Sequence, residues 1–289
     1  MKVALDPWMA RATPLLELPA LAAEQGYEYL ELSPREDFLP FFLHPRADRH
    51  TVAAFKRALD AAGVQISSVL PLYRWAGPDE DERQAAVRYW KRAIQITVDL
   101  GCDVMNSEFN GRPERASLSE AQWWTSMEEL LPIFEREGVQ LRLEPHPDDF
   151  VEDGLVAVDM VRGVDSSLVT FLYCAPHTFH QGGNMVQIME YAGDLLTQVH
   201  VADSFDHRVT NRYILNPPGT PARIHQHLDI GQGEVDWDAF FGTLERLDFA
   251  RRAETIMTAC VFAWEDRARE SNLFMREQIA DRTKGWAQP

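Results

Sequence analysis

Positive charge is scarce in this sequence. Against 45 aspartates and glutamates stand 28 lysines and arginines, a formal net charge of −17 over 289 residues. Such a surface repels phosphates, so an electrostatic grip on nucleic acid or on an anionic membrane is not expected. Cysteine is scarce too. Cys102, Cys174 and Cys260 are odd in number, far apart and each set in an apolar run. That pattern excludes a disulfide framework and points to a reducing, cytoplasmic setting. No run of about 18 apolar residues occurs, so no membrane-spanning helix is expected. Residues 1–7 hold too short an apolar run for a secretory leader. Linkers and low-complexity tracts are lacking. So is a glycine-rich phosphate loop after the first apolar run, where Asp6-Pro7-Trp8 stands instead.

What is present is ordinary in bulk, 45% hydrophobic and 25% charged, and ordered in pattern. One unit recurs: an amphipathic stretch ending near glycine, a short β-rich run, then a polar or proline-containing loop. The runs are 3–6, 27–32, 64–71, 102–108, 139–144, 169–174, 198–202 and 255–262. Gly26, Gly63, Gly101 and Gly138 each stand just before one of them. Helices are expected over 13–25, 51–62, 79–100, 119–137, 152–162, 184–192, 236–247 and 264–281. Thr13-Pro14 and Ser119 look like starting caps for two of them. Strand–helix alternation along the whole chain implies a parallel sheet. Eight such units fit a single α/β domain over 1–289, a (β/α)8 TIM barrel. The longest irregular stretch, 204–233, follows the seventh strand. It would therefore lie over the face where barrels build their active sites.

The stretch from Gly138 to His146 condenses the pattern. Gly138 stops a helix, Val139, Leu141 and Leu143 alternate with polar residues, and Pro145 stops the strand. Glu144 and His146 are thus delivered together at a strand end. Other histidines fall at strand ends in the second half of the chain: His177, His200, His207, His225 and His227, with His180 nearby. Imidazole is the commonest metal ligand, and several rings converging on one barrel face point to a divalent ion. His225-Gln226-His227 is the sharpest local signal, because residues two apart in an extended segment point the same way. Glu108, ending the fourth strand, is a candidate ligand or proton shuttle, and His146 is open between ligand, base and outer partner. Asp203 is a candidate substrate contact or outer partner of the site. Trp8 and Trp75, in loops after strands, suit stacking on a sugar or an aromatic group. Asp37, His44, Arg46 and His50 cluster after strand two as a substrate-facing or interface loop. The run from Asp229 to Trp237 reads as a tight glycine turn feeding a helix.

These residues resemble a family, the xylose isomerase-like barrels of sugar isomerases, epimerases and apurinic endonucleases. The resemblance rests on Leu143-Glu144-Pro145, His177, Val199-His200-Val201-Ala202-Asp203 and the run Leu228–Trp237, and covers nearly the whole chain. It implies that Glu144 and His200 ligate a divalent ion such as Mn, Mg or Zn. Family isomerases add an Asp from strand six and a Glu from strand eight. Here those places read Cys174 and Ile256-Met257-Thr258-Ala259-Cys260. The implied ion is therefore displaced, held by some of Glu144, His177, His200, His225 and His227. Within the family, the segments Phe171–His177, Ile224–His227 and Ile256–Phe262 look most like a branch close to the large subunit of C-glycoside deglycosidases. Those enzymes cleave the carbon–carbon bond of a 3-keto C-glycoside together with a small partner chain. The expected function is a metal-dependent lyase on an oxidised sugar or glycoside, with His146 and Glu108 moving the proton. Sugar isomerisation or epimerisation shares its early steps. An abasic-site endonuclease, opposed by the net charge, and a non-catalytic sugar-binding subunit stay open as well. The expected partners are a small-molecule substrate and either a small second chain or further copies of this one.

Overall fold

A computed structural model describes residues 1–180, 182–205 and 225–286. Eight parallel strands close into a barrel in chain order: β1 (Lys2–Leu5), β2 (Tyr29–Leu32), β3 (Gln65–Val69), β4 (Val104–Glu108), β5 (Gln140–Glu144), β6 (Val169–Cys174), β7 (Leu196–Val201) and β8 (Ile256–Ala259). Closure runs through β1 against β8, in register from Lys2 opposite Ile256 to Leu5 opposite Ala259. Around it lie, among the described residues, α1 (Leu18–Glu24), α2 (Arg49–Ala62), α3 (Glu80–Leu100), α4 (Ala116–Glu137), α5 (Gly154–Val164), α6 (Ala175–His180), α7 (Met185–Ala192), α8 (Trp237–Arg246) and α9 (Ala268–Arg282). No helix there is long and apolar enough to cross a membrane.

Local chemistry accounts for most boundaries. Asp79, Asp153, Asn184 and Asp236 cap α3, α5, α7 and α8, each accepting from a backbone N–H of the first turn. Gly138 ends α4 with φ +67°, a conformation that costs other residues a Cβ clash. Two expected caps are displaced. Thr13-Pro14 leads into a 3₁₀ turn at Leu15–Glu17, and α1 begins only at Leu18, with Pro19 in its first turn. Helix α4 begins at Ala116, so Ser119 sits a turn inside it. There its buried hydroxyl accepts from the Arg112 N–H at 2.9 Å and ties the helix to its entry loop. Sequence reasoning also missed α6, one and a half turns packed directly behind β6. Of the stretch 204–233, residues 206–224, His207 included, lie outside the described residues. Its two ends meet in an antiparallel bridge between Asp203 and Leu228.

Strand alternation decides what fills the barrel. Arg142 and Glu144 make their contacts across the interior, so Leu141 and Leu143, on the other face of β5, turn outward to the helices. The interior is consequently polar: Glu31, Ser68, Asn106, Arg142, Gln198 and Thr258 are buried there. Fully buried Arg142 donates to the carbonyls of Thr197 at 3.0 Å and Glu254 at 2.7 Å, and to Gln140 at 3.2 Å. It ties β5 to β7 and to the entry of β8 at the end of the barrel opposite the site. Removing it strands several buried acceptors, so Arg142→Ala is expected to lower the unfolding free energy by about 3 kcal/mol, measured by denaturant titration.

Candidate metal and proton-transfer site

The C-terminal strand ends surround a cavity of about 260 Å³. Glu108, Glu144, His146, His177, His200, His225 and His227 all line it. Glu144 comes from the last position of β5, and Pro145 bends the chain so that His146 stands beside it. Helix α6 starts immediately after Cys174 and lifts His177 over the same point. His225 and His227 arrive on the returning segment, their ring centroids 5.2 Å apart. The His146, His177 and His225 rings stand 4.5–4.7 Å from one another. Residues spread over some 80 positions of sequence thus form one imidazole cluster.

Backbone carbonyls and carboxylates orient His227, His177 and His200. His227 donates Nδ1–H to the Cys260 carbonyl at 2.7 Å and stacks on Phe262, centroids 3.9 Å apart. Its Nε2 lone pair therefore points into the cluster, 3.4 Å from His177 Nε2. His177 Nδ1 lies 3.1 Å from the Pro145 carbonyl and 3.2 Å from Glu144 Oε2. His200 stands between two carboxylates, with Nε2 3.0 Å from Glu31 Oε1 and Nδ1 3.5 Å from Glu144 Oε2. Glu31 itself was missed in the sequence. It is a fully buried strand-two residue whose other oxygen accepts from Ser68 at 2.8 Å, Gln198 at 2.5 Å and Thr258 at 3.2 Å. One glutamate in a run of apolar residues gives no local sign that a histidine 169 positions on will pair with it.

The charges sort into two groups. Burial opposes ionisation of Glu144, yet the His200 and His177 rings hold its carboxyl well below the ordinary range. Burial also opposes the charged forms of His177 and His200. Cys174 and Glu144 beside the first, and Glu31 and Glu144 beside the second, nevertheless hold both well above the usual imidazole value. His225 and His227 are pushed well below it by burial and by the His177 charge, so both are neutral rings. Glu108 is pushed up to about 7 by burial and the Glu144 charge, and His146 down to about 4 by burial and His177. The two touch, His146 Nε2 lying 3.5 Å from Glu108 Oε1. Asp149, also missed, clips their loops together by accepting from the N–H groups of Asn110 at 2.5 Å and Gly111 at 2.7 Å.

The donor set fits a divalent ion. Two ligands on a tetrahedral ion with bonds of about 2.0–2.1 Å sit about 3.3–3.4 Å apart, the separation of the His177 and His227 Nε2 atoms. Glu144 Oε2 is buried without a well-aligned hydrogen bond, a carboxylate oxygen left for a cation. Three overlapping groups have their ligand atoms within 4.8 Å of one another: His146, His177 and His225; Cys174, His177 and His227; Glu144, Cys174 and His200. His177 belongs to two of them and stands at the centre. Neutral imidazoles, a thiol and a carboxylate suit zinc or manganese better than magnesium, which prefers oxygen.

Two expected substrate contacts turn away from the cavity. Asp203 is fully buried and accepts from the N–H groups of Ser204, Gly231, Val235 and the Trp237 indole at 2.8–3.0 Å. Four donors consume its oxygens, so it organises the turn before α8. Trp75 is fully buried, packs against Trp90 and Trp123, and donates its indole N–H to the Glu108 carbonyl at 3.1 Å. It supports the wall from behind. Trp8 does line the cavity. From the segment after β2 the lining residues are Ser33, Pro34, Phe41 and Phe42, while Asp37 pairs with Arg35 and His44 Nδ1 with its neighbouring carbonyl.

Comparison with known proteins places the barrel in a family. Residues 19–278 match the family model described as xylose isomerase-like TIM barrel. The chain belongs to that family. Solved structures with the same architecture include the IolI protein with a bound zinc atom, TM-score 0.74 at 16% identity over 100% of both chains. They also include a D-psicose 3-epimerase with D-fructose, TM-score 0.73 at 12% identity over 98% of each chain. A third is the 3-keto-D-glucoside 4-epimerase YcjR from E. coli, TM-score 0.71 at 17% identity over 96% of this chain and 99% of that one.

Removing an oriented ligand, or the group that orients one, typically costs about 10–100-fold in metal affinity. Titration calorimetry with Zn²⁺ or Mn²⁺ is expected to show such losses for His227→Ala and for Glu31→Gln. Unchanged affinity in His227→Ala would count against this placement of the ion.

Proposed function

We propose that this protein is a metal-dependent enzyme that moves a proton on the carbon beside a carbonyl of an oxidised sugar. The particular reaction we assign is cleavage of the carbon–carbon bond of a 3-keto C-glycoside by elimination. The observation that carries the reading is one cavity holding a Glu108–His146 pair directly beside the imidazole cluster and Glu144. His177, His225 and His227, with Glu144 or His200, would hold a divalent ion, which would supply Lewis-acid polarisation of a carbonyl. His146 spends Nδ1–H on the Pro147 carbonyl at 2.6 Å, which leaves its Nε2 lone pair facing the cavity. Neutral at working pH, that nitrogen accepts the carbon-bound proton, and Glu108 at its side stores it.

The opposite wall favours elimination over isomerisation. Trp8, Phe41, Phe42, Leu70, Leu72 and Phe262 form an apolar face that a free sugar does not need. A flat aromatic aglycone fills it. The absence of carboxylates at Cys174 and Cys260 points the same way, since an ion held mainly by imidazoles differs from the isomerase arrangement. Isomerisation or epimerisation of a keto-sugar is the second reading, favoured by the epimerases among the structural neighbours. We treat residues 1–289 as one catalytic barrel, acting with a small second chain or as a homo-oligomer. Three buried, unpaired cysteines suit a reducing cytoplasm.

The test is aglycone release from the 3-keto form of an aromatic C-glucoside. Chelation is expected to abolish release, and Mn²⁺ or Zn²⁺ to restore it. Full activity in protein stripped of metal would sink the reading. The sign of the pH dependence follows from Glu108, which takes up a proton only when ionised. With its carboxyl pushed up to about 7, the rate of proton abstraction, read as solvent exchange at the carbon beside the carbonyl, rises with pH through a midpoint near 7, or lower with a cation bound beside it. Glu108→Gln is expected to flatten that limb and lower kcat about 10²–10⁴-fold.

A further inference from the structure

We infer that Asp6 is the acid of this site, the group that protonates the carbon leaving with the aglycone. The inference rests on the lyase reading above and names a residue outside the imidazole cluster. Asp6 follows β1, is 4% exposed and lines the same cavity as Glu108. Strands β1 and β4 are three apart around the ring of eight, so the two carboxyls approach the cavity from different sides. Glu108 stands with His146 next to the metal ligands. Asp6 stands at the foot of the aromatic wall, since Trp8 is anchored to it and lies edge-on to Phe41 and Phe262, at 5.5 and 6.1 Å.

The two oxygens of Asp6 have different surroundings. Oδ1 accepts from the Trp8 N–H at 2.9 Å and from the Ser33 hydroxyl at 2.6 Å, which fixes the plane of the carboxyl. Oδ2 has one weak donor, the Cys260 thiol at 3.4 Å. No lysine or arginine forms an ion pair with Asp6 among the described residues. The charged and titratable groups acting on it are Glu31 from β2, His200 from β7 and Cys260 beyond β8. Burial and the Glu31 charge outweigh the rest and push its carboxyl up to about 6. The carboxyl thus holds a proton more tightly than an exposed one, and Oδ2, the less engaged oxygen of a residue lining the cavity, is the one able to carry it.

The step balances without a co-reactant. The C–H bond beside the carbonyl breaks and its proton passes to His146. Its electron pair forms a carbon–carbon double bond to the neighbouring ring carbon, and the bond from that carbon to the aglycone breaks. The departing carbon keeps that bond's pair and forms a C–H bond with the proton of Asp6, which becomes a carboxylate. The proton gained by the His146–Glu108 pair and the one lost by Asp6 are both exchanged with water between turnovers.

Asp6→Asn separates this role from a structural one, because Asn keeps the Oδ1 acceptor for Trp8 and Ser33 and loses the transferable proton together with only the weak Cys260 contact. With the 3-keto form of an aromatic C-glucoside in D₂O, proton NMR reads exchange at the carbon beside the carbonyl, and chromatography reads aglycone release. Asp6→Asn is expected to keep metal content and leave exchange within about twofold, while release falls about 100-fold or more. Release within threefold of the parent, or exchange and release falling together, overturns the assignment. Exchange without release in the parent enzyme overturns it too and favours an epimerase. A parent enzyme showing neither removes the lyase reading and this inference with it. Should Asp6→Asn fail to fold, the parent's release rates across aglycones of different acidity decide. Near-independence of acidity supports a donated proton, and a steep dependence refutes it.

Discussion

The charge on Glu144 has to be balanced inside the barrel, and much of the site follows from that. Its Oε2 lies 3.2 Å from His177 and 3.5 Å from His200, buried beyond the reach of bulk water. A bare carboxylate in such a place costs several kcal/mol, so positive charge must accumulate beside it. The two histidines supply it, and His200 is in turn steadied from behind by Glu31. The alternation of negative, positive, negative across β2, β7 and β5 links three strands that are not neighbours in the chain. An ion held in this array would take the place of protons present for the same electrostatic reason.

That balance also separates the functions of the remaining rings. Two imidazoles carrying charge next to Glu144 make it costly for others nearby to do so. His225 and His227 are therefore neutral, with lone pairs available, and His146 is neutral as a base must be. Carboxylates farther out feel the opposite bias. Glu108 and Asp6 lie beside negative neighbours with no lysine or arginine paired to them among the described residues, and both hold protons more tightly than an exposed carboxyl. The protonation of each group is thus set by its position around one buried charge.

Cys174 and Cys260 occupy the ends of strands six and eight, where a carboxylate would add negative charge. Imidazoles come instead from above, from α6 and from the returning segment at His225–His227. The short helix α6 is what makes this workable, because it raises His177 to the level of His225. The vacated side of the barrel is free to be apolar, and Trp8, Phe41, Phe42 and Phe262 occupy it.

The architecture was legible because it depends on local chemistry. Gly138, Asp79, Asn184 and Asp236 mark helix ends by backbone conformation and capping, and Val139-Gln140-Leu141-Arg142-Leu143-Glu144 marks a strand by its period of two. Such signals act over a few residues and survive in any sequence window. The imidazole cluster was legible in outline, as histidines at successive strand ends. The sequence alone therefore determined the eight alternating units, the scarcity of positive charge and the set of residues brought to the C-terminal face. Only the tertiary structure decided which of them meet. It turned Asp203 inward onto four N–H donors and Trp75 behind the wall, and it brought Glu31, Asp6 and Asp149 to the site. The reason is physical: hydrogen bonding and ion pairing fall off within a few ångströms. Whether a buried carboxylate props up a turn or transfers a proton is set by neighbours more than a hundred residues away in the chain.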